Sequence, residues 1–130
     1  MDVQGCVTIP LSEYGMEGEI ILSPLTFRMK TNLANALYEL DEHGNQHVKK
    51  GLMPGDVAII TTLSYVKKAP FKTNLSDLEP FFDFADKADE VKPGNMDAIW
   101  ARISKEVSRI ESGENHPLPK SGRSPTTNSE

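Results

Sequence analysis

The clearest amphipathic pattern in the chain is MDAIWARISKEVSRI, residues 96–110. Its apolar residues recur every three or four positions, which is the period of an amphipathic α-helix. This stripe consists of Met96, Ile99, Trp100, Ile103, Val107 and Ile110. Asn95 stands before the stripe as a candidate N-cap, and Gly113 suits the position after the last turn. We therefore predict that this helix ends at about Gly113 and packs its apolar face in the core.

The segment NLSDLEPFFDFADKADEV, residues 74–91, predicts a helix directly before this one. Ser76 and Glu79 have the spacing of a capping box, in which two side chains satisfy free N–H groups of the first turn. The tripeptide KPG, residues 92–94, then ends the helix.

Two further helices are predicted in the first half of the chain. One follows a cap at Ser23 or Thr26 and carries an apolar stripe to about Leu40. The other begins with Asp56 as its N-cap and is stopped by Pro70. The β-branched run VAIITT in this second segment also permits a strand, which stays open as the alternative.

The residues before these helices, CVTIPLSEYGMEGEIILSPLT (6–26), indicate two strands around a turn. Val7 and Ile9 alternate with a polar residue, and a second apolar run follows a Gly-x-x-Gly stretch that begins at Gly15. The two prolines favour edge strands or strand ends. Because a lone hairpin is marginal in water, this one must pack on the helices. The predicted fold class is α+β, an N-terminal β-hairpin on a mainly helical domain of about four helices.

Length and composition fit one domain. The chain has 130 residues, of which we assign 1–112 to a single α+β domain and 113–130 to a disordered tail. The tail holds clusters of Gly, Ser, Pro and Thr, and it lacks the apolar area to offset the backbone entropy of ordering.

Charge and cysteine usage disfavour several classes of function. The formal net charge is −5, which disfavours nucleic-acid binding, and the paired lysines of HVKK (47–50) and VKKA (66–69) are too few for a basic patch. The single cysteine allows no internal disulfide, and no apolar run approaches the length of a membrane span. The first residues lack a basic n-region, so a signal peptide is not expected and the predicted location is cytosolic.

No catalytic or ligand-binding motif stands out. His43 and His47 are four residues apart, but Gly44 and Asn45 lie between them in a predicted turn, which separates the imidazoles. Cys6 lies among apolar residues at a strand start and is typical of a small core residue. There is no phosphate loop. We therefore expect no enzyme activity, no cofactor and no metal.

The aromatic run on the predicted helix 74–91 is the candidate binding surface. Phe81, Phe82 and Phe84 occupy three of four positions, so one helix face cannot bury them all. Asp83 and Asp86 are interleaved with them. Core packing and a solvated acidic face are the simpler interpretations. The functional interpretation is a partner-binding site in which an aromatic anchor is surrounded by charge.

The order of segments resembles the tail assembly chaperones of long-tailed, siphovirus-type bacteriophages. The phrases that carry the resemblance are IPLSEYGMEGEIILSPLTFRMKTNLANAL, VKKAPF, LSDLEPFFDFAD and SGENHPLPKSG, within about residues 9–120. The resemblance is one of layout, without a catalytic or ligand motif. It implies a non-enzymatic protein of the bacterial host cytoplasm that binds the tape-measure protein and, through a frameshifted longer form, tail tube protein.

Two other classes of protein remain open. A structural head–tail connector or other virion component would form a ring of fixed size, whereas a chaperone would be monomeric or weakly self-associated. A small DNA-binding regulator would need basic residues on a recognition helix, for which ARISKEVSRI (101–110) is the best segment.

Overall fold

The structure, a computed structural model, describes residues 5–112. Five strands and four α-helices follow one another along this part of the chain, with a 3₁₀ turn at Leu11–Tyr14. Their order is β1 (Val7–Pro10), β2 (Glu19–Leu22), α1 (Phe27–Leu37), β3 (Tyr38–Leu40), β4 (Gln46–Val48), α2 (Pro54–Leu63), β5 (Val66–Lys68), α3 (Glu79–Val91) and α4 (Asn95–Ser112). The predicted α+β class, the N-terminal hairpin and the four helices are confirmed. The predicted tail, 113–130, lies outside the described residues.

The strands form two separate antiparallel sheets. In the first, β1 pairs with β2 and β5 lies on the other side of β2. Ile9, Ile20 and Leu22 of this sheet are fully buried against the helices, as a hairpin that cannot stand alone requires. The second sheet pairs β3 with β4, and no other strand of residues 5–112 joins it.

Helix α4 supplies the largest share of the core. Met96, Ile99, Ile103, Val107 and Ile110 are buried, and Trp100 is half-buried at the edge of the same stripe. They join residues of β1, β2, α2 and α3 in one hydrophobic cluster. The predicted apolar stripe of α4 is therefore confirmed.

The predicted course of α1 is wrong at its C-terminal end. The helix stops at Leu37, and Tyr38 is extended with φ −121° and ψ 155°. The carboxylate of Asp41 accepts hydrogen bonds from the backbone N–H groups of His43 and Asn45, both at 2.8 Å. This stabilises a tight turn, and the residues on either side of it pair as β3 and β4 instead of extending the helix.

The segment predicted as one helix up to Pro70 is divided between helix and strand. Helix α2 ends at Leu63, and Val66–Lys68 pair with β2 as β5. The strand alternative is wrong for the run VAIITT, which lies within α2. Val66–Lys68, which follow that run, form a strand because they pair with the open edge of β2. Asp56 is not the N-cap residue, although its carboxylate accepts a hydrogen bond from Met53 N at 3.0 Å.

Both predicted caps of the last two helices are also corrected. Ser76 and Glu79 form no capping box, because the carboxylate of Asp77 accepts the hydrogen bond from Glu79 N at 3.1 Å. Asn95 is the first residue of α4 and not the cap before it, and its side-chain Nδ2 donates to the Tyr14 carbonyl at 3.0 Å. In α4 the carboxylate of an α3 residue, Asp89, accepts from Met96 N at 2.9 Å. A tertiary contact replaces the local cap.

Candidate partner-binding groove

The three phenylalanines of α3 point in different directions. Phe81 and Phe84 are buried, whereas Phe82 keeps 39% of its surface exposed. Successive helical residues are turned by about 100°, so the side chains of Phe81 and Phe84 can face the core only if Phe82 turns away from it. The expectation that one of the three is partly exposed is confirmed, while its role in binding stays a prediction.

An aromatic cluster holds Phe82 in place. The Phe81 ring lies 5.6 Å from the Phe82 ring and 5.4 Å from the Trp100 ring, in edge-to-face geometry. Phe71, in the loop before α3, packs on Phe81 and Phe84 at 5.7 and 4.8 Å. Aromatic pairs of this geometry favour particular ring orientations and stabilise the contact more than burial of the same area alone. The exposed Phe82 ring thus packs on a cluster of aromatic rings, and Phe71 is a member of that cluster that sequence reasoning missed.

Phe82 lines an open groove of about 400 Å³ between the C-terminal half of α1, α2 and the start of α3. The apolar residues of its wall are Ala36, Leu52, Ile60, Leu75, Leu78 and Phe82. Leu52 and Leu75 come from the loops before α2 and α3, so both helices and both loops shape the groove. Because apolar and polar residues share this wall, the groove can take apolar side chains of a partner together with a polar or charged one.

The acids around this groove are not the ones that the sequence suggested. Asp83 and Asp86 are exposed on α3 and do not line the groove. Its wall instead contains Asp56, Asp77 and Glu79, together with Lys49. Three carboxylates against one ammonium give the groove a local charge of about −2. The sequence offered no signal for this set, because it comes from three separate segments.

The cationic residues of α4 do not form a recognition surface. Glu106 is buried, and its carboxylate lies 3.0 Å from Arg102 Nε and 3.3 Å from Arg109 Nη1. Arg102 also contacts a second carboxylate, that of Glu13, at 3.4 Å. The hydrogen bond with Glu106 is the largest cause that raises the pKa of Arg102. Two of the three cations in the predicted segment therefore serve this ion-pair network.

The structure also locates His43, His47 and Cys6. His43 lies in the exposed β3–β4 turn, and His47 belongs to β4 with its ring 4.0 Å from the Glu39 carboxylate. Cys6 is half-buried and lines a second cavity, of about 580 Å³, between the start of α1 and β5. Within residues 5–112, no three His, Cys, Asp or Glu side chains cluster as metal ligands would. None of the helices in that range has the length and apolar content for crossing a bilayer.

Neither a protein-family model, nor a curated protein, nor a solved structure matches this chain.

Proposed function

We propose that this chain is a non-enzymatic tail assembly chaperone of a long-tailed bacteriophage, acting in the cytoplasm of the bacterial host. Its partners in this proposal are the tape-measure protein and the tail tube protein. The observation that carries a protein-binding role is Phe82, an aromatic side chain left 39% exposed at an apolar groove. The resemblance of the segment order to that chaperone family supplies the particular partners.

The groove favours a partner segment with apolar side chains and at least one Lys or Arg. Apolar side chains of the partner would pack in the groove between Leu52 and Leu78, beside the Phe82 ring. A partner cation would meet the carboxylates of Asp77 and Glu79 at the rim. A long, partly apolar helical protein that must be shielded before assembly, as a tape-measure protein is, has this chemistry.

The DNA-binding alternative fits this surface less well than a protein-binding role does. A DNA-binding regulator would need free cations on α4, whereas Arg102 and Arg109 contact the buried Glu106. A head–tail connector would use the groove in a fixed ring and would remain in the virion. The chaperone and the connector are distinguished by experiment, since only the connector is retained in mature particles.

The test is capture of tail components by the purified chain. The tagged protein is co-expressed with the products of neighbouring genes, and the retained proteins are identified by mass spectrometry. The proposal expects wild type to retain the tape-measure protein and Phe82→Asp to lose most of it, because a carboxylate replaces the apolar anchor in an already acidic groove.

Phe27→Asp is the matched control. Phe27 is 86% exposed at the start of α1 and does not line the groove, so the same substitution there should leave capture unchanged. Circular dichroism and a thermal melt establish that both variants are folded. Wild-type protein that retains no tail component, or equal capture by both variants, contradicts the proposal. Stoichiometric presence in mature virions would favour the connector.

A further inference from the structure

The β3–β4 hairpin is a second surface, separate from Phe82. Among residues 5–112 its two strands pair with no third strand, and a sheet of two strands is marginal without further cover. Tyr38, Leu40 and Val48 lie on one face of it, because Tyr38 and Leu40 are two residues apart and Val48 pairs with Tyr38. All three are exposed, Leu40 to 68%. The hairpin therefore presents an apolar face and an unshared edge.

The backbone register identifies which groups point out of that edge. Lys49 N donates to the Leu37 carbonyl at 2.8 Å, and Asp41 N donates to the Asn45 carbonyl at 2.9 Å. In an antiparallel pair, bonded and non-bonded positions alternate. The N–H and C=O groups of Gln46 and Val48 consequently point away from β3, towards the open side of β4. The Val48 carbonyl also lies 2.9 Å from His47 Nδ1, and its second lone pair can accept a hydrogen bond from a further strand.

We propose that a second copy of this chain pairs with β4 along this edge, in an antiparallel, two-fold symmetric arrangement centred on His47. In that register Gln46 faces Val48 of the second copy, and Val48 faces its Gln46. Both positions carry outward N–H and C=O groups, so the pairing forms four hydrogen bonds and a four-stranded sheet. Val48 and Gln46 of the two copies then cover each other's side chains on the apolar face.

Charge distribution along the hairpin argues for a second copy as the partner. Glu42 lies in the turn of the hairpin and Lys50 lies in the turn that follows β4, two residues after Val48, and both are exposed. A two-fold axis at His47 places Lys50 opposite Gly44 of the second copy, next to its Glu42. Long side chains reach such diagonal neighbours, and symmetry makes the contact twice. The exposed Glu42 carboxylate also lies 3.9 Å from the imidazole of His43, a contact that solvent weakens.

The association is weak, because four backbone bonds and a few apolar side chains bury less area than a stable dimer requires. The measurement is sedimentation velocity on the full chain over about 10 μM to 1 mM protein. Wild type should show a weight-average sedimentation coefficient that rises with concentration. The proposal needs no other protein, so its failure would leave the chaperone proposal standing.

Charge reversal tests the register. Lys50→Glu and Glu42→Lys each turn two attractive contacts into repulsive ones, and each should raise the dimer dissociation constant about tenfold. The double variant Glu42→Lys/Lys50→Glu should restore association, as should mixing the two single variants. Lys105→Glu on α4 has the same charge change as Lys50→Glu and should leave association unchanged.

These variants also separate the specific contact from general repulsion. Net charge alone would make Lys50→Glu weaken association and Glu42→Lys strengthen it, since the chain starts at −5. Gln46→Pro removes an outward N–H without removing a bond to β3, and should abolish the dimer while the melting temperature shows a folded protein. A monomer over the whole range, a dimer unaffected by either charge reversal, or a double variant that fails to recover would overturn the proposal.

Discussion

Replacing Ile103 with alanine should cost about 3 to 4 kcal/mol of unfolding free energy. Ile103 is fully buried at the middle of the α4 stripe. The change deletes three carbon atoms, which corresponds to about 2.4 kcal/mol of lost transfer energy at about 0.8 kcal/mol per group. The cavity left in the core cluster around α4 adds the remainder, because the surrounding core relaxes only in part. This is a large fraction of the roughly 5–15 kcal/mol that stabilises a domain.

Urea unfolding measured by the fluorescence of the single tryptophan tests this value. Trp100 is half-buried, with its ring 5.4 Å from the Phe81 ring, so unfolding changes its environment. Lys105→Ala, on the exposed face of the same helix, is the control and should change stability by less than about 0.5 kcal/mol. A loss below about 1 kcal/mol for Ile103→Ala, at an unchanged m-value, would refute the assignment of this stripe to the core.

Three further outcomes are expected. Burial, together with a hydrogen bond to a carboxylate, raises the pKa of Tyr65 to about 12. The contribution of Tyr65 to the free energy of unfolding is therefore complete below about pH 10 and is lost as the pH rises towards 12. Urea unfolding curves of Tyr65→Phe should lack this part of the pH dependence. Gly15→Ala should lower the melting temperature more than Gly44→Ala does. Both glycines have positive φ, but a Cβ at Gly15 would lie 3.1 Å from Val91, whereas a Cβ at Gly44 would meet no atom within 4 Å. An equal loss of melting temperature in the two variants would contradict the close contact at Gly15. From its composition, truncation after Gly113 should leave the melting temperature nearly unchanged, and a large drop would mean that the tail packs.

Sequence periodicity predicted the parts of the fold where one helix face meets the core. The stripe from Met96 to Ile110 is long and uninterrupted, so tertiary context had little to override. The N-terminal hairpin was predictable for a similar reason, because its apolar runs are separated by glycines that adopt positive φ.

The predicted ends of α1 and α2 were wrong because tertiary contacts determine where these helices stop. Leu40 continued the stripe of α1 by spacing, yet the Asp41 turn made a hairpin more favourable there. Val66 continued the α2 pattern but completes the sheet beside β2. Each residue has a local preference that allows both states, and the choice depends on a partner distant in sequence.

The candidate groove was predictable only in part. Helical spacing alone required one phenylalanine of α3 to be exposed, and Phe82 is that residue. The groove itself needed Leu52 and Leu75 to come together from separate loops, and periodicity says nothing about loops. Asp83 and Asp86 were chosen because they neighbour Phe82 in sequence, whereas the carboxylates that line the groove are its neighbours in space.

The groove and the hairpin edge are joined by one short segment, and this connects the two proposals. Lys49 closes the hairpin through its backbone N–H and also lines the groove, whereas Lys50 does not line it. A two-fold dimer would therefore carry two grooves in a fixed relation, and a long partner with repeated apolar segments would bind both with increased avidity. Lys50→Glu should accordingly lower the capture of such a partner even though the groove that contains Phe82 is intact, and the Glu42→Lys/Lys50→Glu double variant should recover it. Capture by Lys50→Glu equal to that of wild type would mean that each groove acts alone.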